Sequence, residues 1–334
     1  MTKQSKKIYS SLINRIALVL LVNQGLLLAL STVTSLLEAT LVALNGDSVF
    51  LDMIFRLAEC VVYFVSFVIP MNIFNKMNKN AEKEIYEPVK SEKSPAIQSI
   101  FMLGIGLGAT SIAVYLNYYA VNAFWNYSEF SDEYLWSAEL DNPYQIIIYF
   151  IYCAIIPVFV EELLFRGTIA KSLLVYGKKT AVVLSALLFA LMHSNIEQLL
   201  YTFIAGLFLA WIYVETQNVI YPIILHFINN AISTVGDVIY EKCALEVYNL
   251  YSDVSLIFVF AFMVISIIGL ILCKKQKGSI FDKTVMKPDE NGETVLPLTA
   301  KEKVAGFFTM RMTMFTLYSI LMMIYYIYLC TQLI

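Results

Sequence analysis

The feature that most constrains this chain is its succession of apolar runs, each too long for the interior of a small water-soluble domain. Crossing a hydrocarbon layer about 30 Å thick takes roughly 20 apolar residues in a helix, and a spanning segment must satisfy its own backbone hydrogen bonds. Runs of that kind recur at roughly 14–37, 50–75, 96–125, 143–174, 180–197, 198–215, 218–236, 254–273 and 304–331. The expected fold is therefore all-α, a polytopic transmembrane helix bundle of nine spans, with eight as the alternative count. Composition agrees: 59% of the 334 residues are hydrophobic, against roughly 45–50% in soluble domains.

Charge carries orientation in such a chain. The net charge is only −3, without the basic patch that a nucleic-acid partner would require. Lysine and arginine near helix ends favour the cytoplasmic side. Residues 76–95 hold Lys76, Lys79, Lys83, Lys90 and Lys93; residues 166–179 hold Arg166, Lys171, Lys178 and Lys179; residues 274–303 begin Lys274-Lys275-Gln276-Lys277. The acids Glu129, Asp132, Glu133, Glu139 and Asp141 crowd residues 126–142, and four acids with one lysine occupy 237–253. The first group is expected inside and the second outside, which puts the N-terminus in the cytoplasm and the chain in the cell membrane. The basic N-terminus before an apolar run resembles a signal peptide, but no small-residue cleavage site ends that run, so a retained helix is expected.

Three regions follow: 1–142 as an N-terminal three-helix transmembrane region, 143–236 as a core of four helices, and 237–334 as two helices joined by a polar cytoplasmic linker. That linker, Gln276 to Lys303, holds Pro288, Asn291-Gly292 and Pro297 as breakers, and the last helix reads as a peripheral addition. The five cysteines, Cys60, Cys153, Cys243, Cys273 and Cys330, lack the paired spacing of a metal knuckle or disulfide framework and read as small core residues.

Ionisable residues inside a span cost several kcal/mol and normally face a bundle interior, a partner or a water-filled cavity. The fourth run ends in Glu161-Glu162-Leu163-Leu164-Phe165-Arg166. Glu162 and Arg166, four apart, can pair on one face. Glu161 lies about 100° further round and is left to face a cavity. A carboxylate in a low-dielectric cavity is held closer to its neutral form, which suits a general base. The next two landmarks are Phe189-Ala190-Leu191-Met192-His193 and His226-Phe227-Ile228-Asn229-Asn230, which contain the chain's only histidines. Both are expected within spanning helices. At 1.5 Å per residue from the cytoplasmic ends, Glu161, His193, His226 and Asn230 lie about 20, 21, 12 and 18 Å deep. This convergence requires the fourth helix to run on past Arg166 toward Leu174.

Plainer readings exist for each feature. The glutamate pair with Arg166 could be a solvated helix end, and either histidine alone reads as a core imidazole bonded to a carbonyl; together, at one depth with Asn230, they favour a site. Arg56 and Glu59, three apart in the second run, read as a structural pair. The numerous tyrosines and phenylalanines read as lipid-facing or interfacial anchors, and the Met310–Met314 run as gap-filling core and interface.

Glu-Glu-x-x-x-Arg at Glu161–Arg166, Phe-x-x-x-His at Phe189–His193 and His-x-x-x-Asn at His226–Asn230, in that order over about 70 residues, resemble the CAAX prenyl endopeptidase and bacteriocin-processing (CPBP, or Abi) family of intramembrane proteases. The resemblance implies that Glu161 and His193 activate a water, that His226 and Asn230 stabilise the oxyanion, and that Glu162, Arg166 and Phe189 support them. It implies a peptide or lipidated peptide as substrate, in contact with membrane lipid. It leaves two cofactor alternatives open: a zinc ion on Glu161, His193 and His226 with an open fourth position, or no tightly bound metal, toward which the missing His-Glu-x-x-His spacing leans. The rivals are a non-catalytic bacteriocin immunity or scaffold protein that binds a partner, and a transporter, which would commonly show inverted repeats and broken helices.

Overall fold

A computed structural model describes residues 3–45, 49–79, 95–124, 140, 142–273 and 298–332. Its elements are α1 (Lys3–Asn45), α2 (Val49–Lys79), α3 (Ala96–Phe124), α4 (Pro143–Tyr176), α5 (Lys178–Met192), α6 (Ile196–Thr216), α7 (Ile220–Lys242), α8 (Leu245–Leu272), α9 (Ala300–Phe307) and α10 (Met310–Gln332). No strand occurs among the described residues. Among the described residues, eight helices are long and apolar enough to cross a membrane; α5, with 15 residues, is not among them. The protein is a multi-pass helical bundle.

Where these helices meet, small residues let the backbones approach, because lipid provides no hydrophobic drive for helices to associate. On α3, Gly104 and Gly108 face α8 so closely that a Cβ at Gly104 would stand 2.0 Å from Ser266 Oγ, and one at Gly108 2.2 Å from Met263 Sδ. Gly106, between them, meets Leu225 of α7 in the same way, at 2.6 Å. The outward faces keep their large apolar side chains exposed, Leu36, Phe64, Ile257 and Leu321 among them, as a surface solvated by acyl chains requires.

Several expectations change. Residues 237–253 are mostly helix rather than loop, because α7 runs to Lys242 and α8 starts at Leu245; their acids sit on helix ends. The last helix is no peripheral addition. Met312 and Phe315 of α10 are fully buried in one cluster with Tyr9, Ile13 and Ile16 of α1. α9 is fastened by a Thr299–Glu302 capping box and by Lys303 Nζ, which donates at 2.7 Å to both Tyr176 O and Thr180 Oγ1. In the Met310–Met314 run Met312 is core while Met310 and Met314 are exposed, which divides that run between the two roles expected of it. Arg56 Nε pairs at 2.6 Å with Asp52, one full turn away, a partner the sequence reading did not name, and Asp52 also accepts from Gln145. Cys60 is buried as expected, but Cys243, between two helices, is exposed. All five acids of 126–142, Lys83, Lys90 and Lys93, the breakers of the 276–297 linker and the Cys330 side chain lie outside the described residues.

Candidate active site

α4 turns both glutamates into the protein, and the cause lies in its own sequence. Pro157 has no N–H, so Cys153 O, four residues earlier, loses its helical donor. Over Ile151–Ile155 the helix opens into a π turn, in which the Ile156 N–H reaches back five residues to Ile151 O. Cys153 O instead accepts a 3.0 Å hydrogen bond from Asn230 Nδ2 on α7. A second π turn spans Phe165–Ala170; there the Thr168 hydroxyl bonds Leu163 O, and Ser185 of α5 donates to Phe165 O at 3.1 Å. The α-helical stretch between the two turns, Ile156–Leu164, buries Glu161 and Glu162. π turns of this kind concentrate at functional sites. The helix continues past Arg166 to Tyr176, as the depth argument required.

Glu162 and Arg166 are both fully buried and pair at 2.7 Å. Removing such ions from water costs several kcal/mol each unless other contacts compensate. Here the guanidinium lies 4.5 Å from the Phe189 ring centroid, a cation–π contact, and its Nη2 donates to Gly206 O at 3.4 Å. Glu162 Oε1 also accepts from His226 Nδ1 at 2.9 Å. An ionised carboxylate only accepts, so this bond makes Nδ1 the protonated nitrogen and aims Nε2 at Glu161, whose Oε2 is 4.0 Å away. Glu161 Oε1 accepts in turn from the Tyr63 hydroxyl of α2.

His193 stands at the C-terminal cap of α5, not within a span. Ser194 follows with φ of 52° and Asn195 caps α6 by accepting from Glu197 N, so the chain turns there. His193 Nδ1 donates to Phe189 O at 2.8 Å, since a carbonyl only accepts, and Nε2 keeps its lone pair. Phe189 is the shared wall: its ring lies 4.8 Å from that of His193 and 6.0 Å from that of His226, edge to face in both cases.

Glu161, Phe189, His193, His226 and Asn230 thus line one cavity of about 310 Å³. Glu162 and Arg166 lie behind its wall. Sequence reasoning missed Tyr63, and also Tyr201 and Asn229, which line the cavity and bond each other at 2.5 Å. The usable clue was a phenol or carboxamide in mid-span, where an unsatisfied polar group is costly.

His226 Nδ1 is bonded to Glu162 and His193 Nδ1 to Phe189 O, which leaves both Nε2 atoms free to face the cavity; no group of three His, Cys, Asp or Glu among the described residues is already drawn together closely enough to hold a metal ion.

Against known proteins, residues 143–232 match the family model described as Type II CAAX prenyl endopeptidase Rce1-like. The match covers about a quarter of the chain and includes all three motifs. No curated protein and no solved structure matches the chain.

Proposed function

We propose that this chain, a multi-pass membrane protein whose residues 143–232 match the Rce1-like CAAX endopeptidase family model, hydrolyses a peptide bond of a membrane-associated or lipidated peptide with a water activated by Glu161. The carrying observation is the 4.0 Å approach of Glu161 Oε2 to His226 Nε2 inside a cavity that also holds His193 and Asn230. Residues 143–236 would then be the catalytic core, with the helices before and after it as its scaffold.

Glu161 takes a proton from the water as its oxygen attacks the scissile carbonyl carbon. Tyr63, bonded to the other carboxylate oxygen, keeps Oε2 turned to the cavity. Asn230 has committed one Nδ2–H to Cys153 O and offers the second to the developing oxyanion. A preorganised donor of that kind contributes on the order of 3 kcal/mol in a dry site. His226, its ring held by Glu162, turns Nε2 toward Glu161, and His193 Nε2 is a second acceptor for the water. Collapse of the intermediate returns the proton to the departing amine and breaks the C–N bond. Glu162, Arg166 and Phe189 position His226 and do not touch the reacting atoms. Of 310 Å³, the cavity has room for a few residues of an extended peptide rather than a folded domain.

The test is cleavage of prenylated and unprenylated peptides by the purified protein in liposomes, with and without a chelator. Glu161→Gln should lower kcat by about 10²–10⁴-fold, the usual contribution of a general base, while the folded yield is unchanged. Undiminished cleavage by that variant would sink the assignment, and an unaltered cellular phenotype would favour the binding-protein rival. Loss of activity with chelator would require the metal alternative instead.

A further inference from the structure

We infer that Asp237 is a cation-selecting subsite of the same cavity, so that the preferred substrate presents a lysine or arginine side chain there rather than a free C-terminal carboxylate. The inference rests on the peptidase reading above and adds a substrate class to it.

The α7 helix carries a polar stripe through an otherwise apolar segment. His226, Asn230, Ser233 and Asp237 follow at intervals of four, three and four, which keeps them on one face, and all four line the cavity. Asp237 is solvent-accessible at the far end of that stripe. Its Oδ2 accepts a 3.0 Å bond from Tyr149 of α4, which fixes the carboxylate against the wall. No lysine or arginine lines the cavity, and its ionisable wall consists of two carboxylates, the two imidazoles, the Cys153 thiol and the Tyr201 phenol. Low-dielectric walls focus such a field: an anionic chain end is repelled, and a cationic side chain is attracted.

Spacing gives the position. Eleven residues of helix separate His226 from Asp237, about 16 Å along the axis. An extended peptide advances about 3.3 Å per residue, so a chain with its scissile bond at Glu161 and His226 brings its fourth or fifth residue beside Asp237.

Binding of palmitoylated peptides in liposomes tests this, with one lysine moved a residue at a time and matched alanine and glutamate versions. The measurements use Glu161→Gln protein, in which bound peptide is not consumed. At the favoured position lysine should bind about fivefold tighter than alanine, as a partly exposed ion pair allows, and glutamate weaker. Asp237→Asn should erase the preference, and Asp237→Lys should invert it. A purely structural anchoring of Tyr149 would move all peptides alike. Equal binding of the three peptide types, or a lysine preference that survives Asp237→Lys, overturns the subsite. If the preference follows Asp237 but protein with Glu161 intact cleaves none of the peptides, the subsite stands and the peptidase reading falls.

Discussion

Tyr63 is the residue that changes most between sequence and structure. In the sequence Glu161 has no partner, and its neighbour Glu162 takes the only nearby cation. In the fold Tyr63 reaches it from α2, almost a hundred residues away. Hydrogen bonds to charged groups are worth about 1.5–3 kcal/mol, so Tyr63→Phe should lower kcat at least tenfold. Thermal unfolding should hardly move, because the ring stays packed on Phe67. A kinetic comparison in one detergent decides it, and an unchanged kcat would remove Tyr63 from the site. The glutamates, Arg166 and both histidines could be read in advance because each is expensive in an oily run. Tyrosine could not, since interfacial tyrosines are ordinary in membrane proteins. Asn229 and Tyr201 were hidden for a related reason: their value lies in the bond between them, and pairing between distant spans leaves no local pattern.

The same limit holds for whole elements, where hydropathy shows that a helix exists but not how it winds. The extent of α4 was legible, and so was its tilt of polar groups toward one layer. Its two π turns were not, although Pro157 marks the first. Pro157→Ala restores an N–H that can bond Cys153 O in α-helical register and displace Asn230 Nδ2 from it. The expected outcome is a helix of equal or greater stability, since interior proline is costly, together with a kcat lowered about tenfold through the misplaced oxyanion donor. KM should change little. Cys153→Ala is the control, because the acceptor is a backbone carbonyl and that variant should leave kcat near the parent value. A Pro157→Ala enzyme with full activity would separate the π turn from catalysis. α5 was misread in length for a physical reason as well. Nine of its fifteen residues are buried, including the unbroken run Leu188–Met192, so it needs neither the length nor the lipid-facing stripe of a span, and its apolar content alone made it look like one.

At the scale of the whole molecule this short helix decides how the chain threads the bilayer. Eight independent crossings would leave the Lys6 end of α1 and the Gln332 end of α10 on the same side. The structure argues otherwise, through the α5–α6 hairpin. Lys178 at the start of α5 pairs with Glu215 at the end of α6 at 3.3 Å, so both ends of that hairpin lie on one face, however deep the Ser194–Asn195 turn reaches. Fifteen residues rise about 22 Å, short of the full hydrocarbon thickness. A turn within the bilayer is tolerated where protein or a water-filled cavity surrounds it, and His193 beside the turn lines such a cavity. The hairpin therefore counts as a return trip, whether or not α5 crosses completely. An odd number of crossings remains for the other helices, α9 being too short to add one. With the basic segments inside, a reporter fused beyond Gln332 should be extracytoplasmic, while one before Lys6 and one inserted between 276 and 297 should be cytoplasmic. Finding the reporters beyond Gln332 and before Lys6 on the same side would mean that one of the other helices does not cross. It would leave the Lys178–Glu215 geometry intact, and where the missing crossing precedes α7 it would reverse the side from which peptide reaches Asp237.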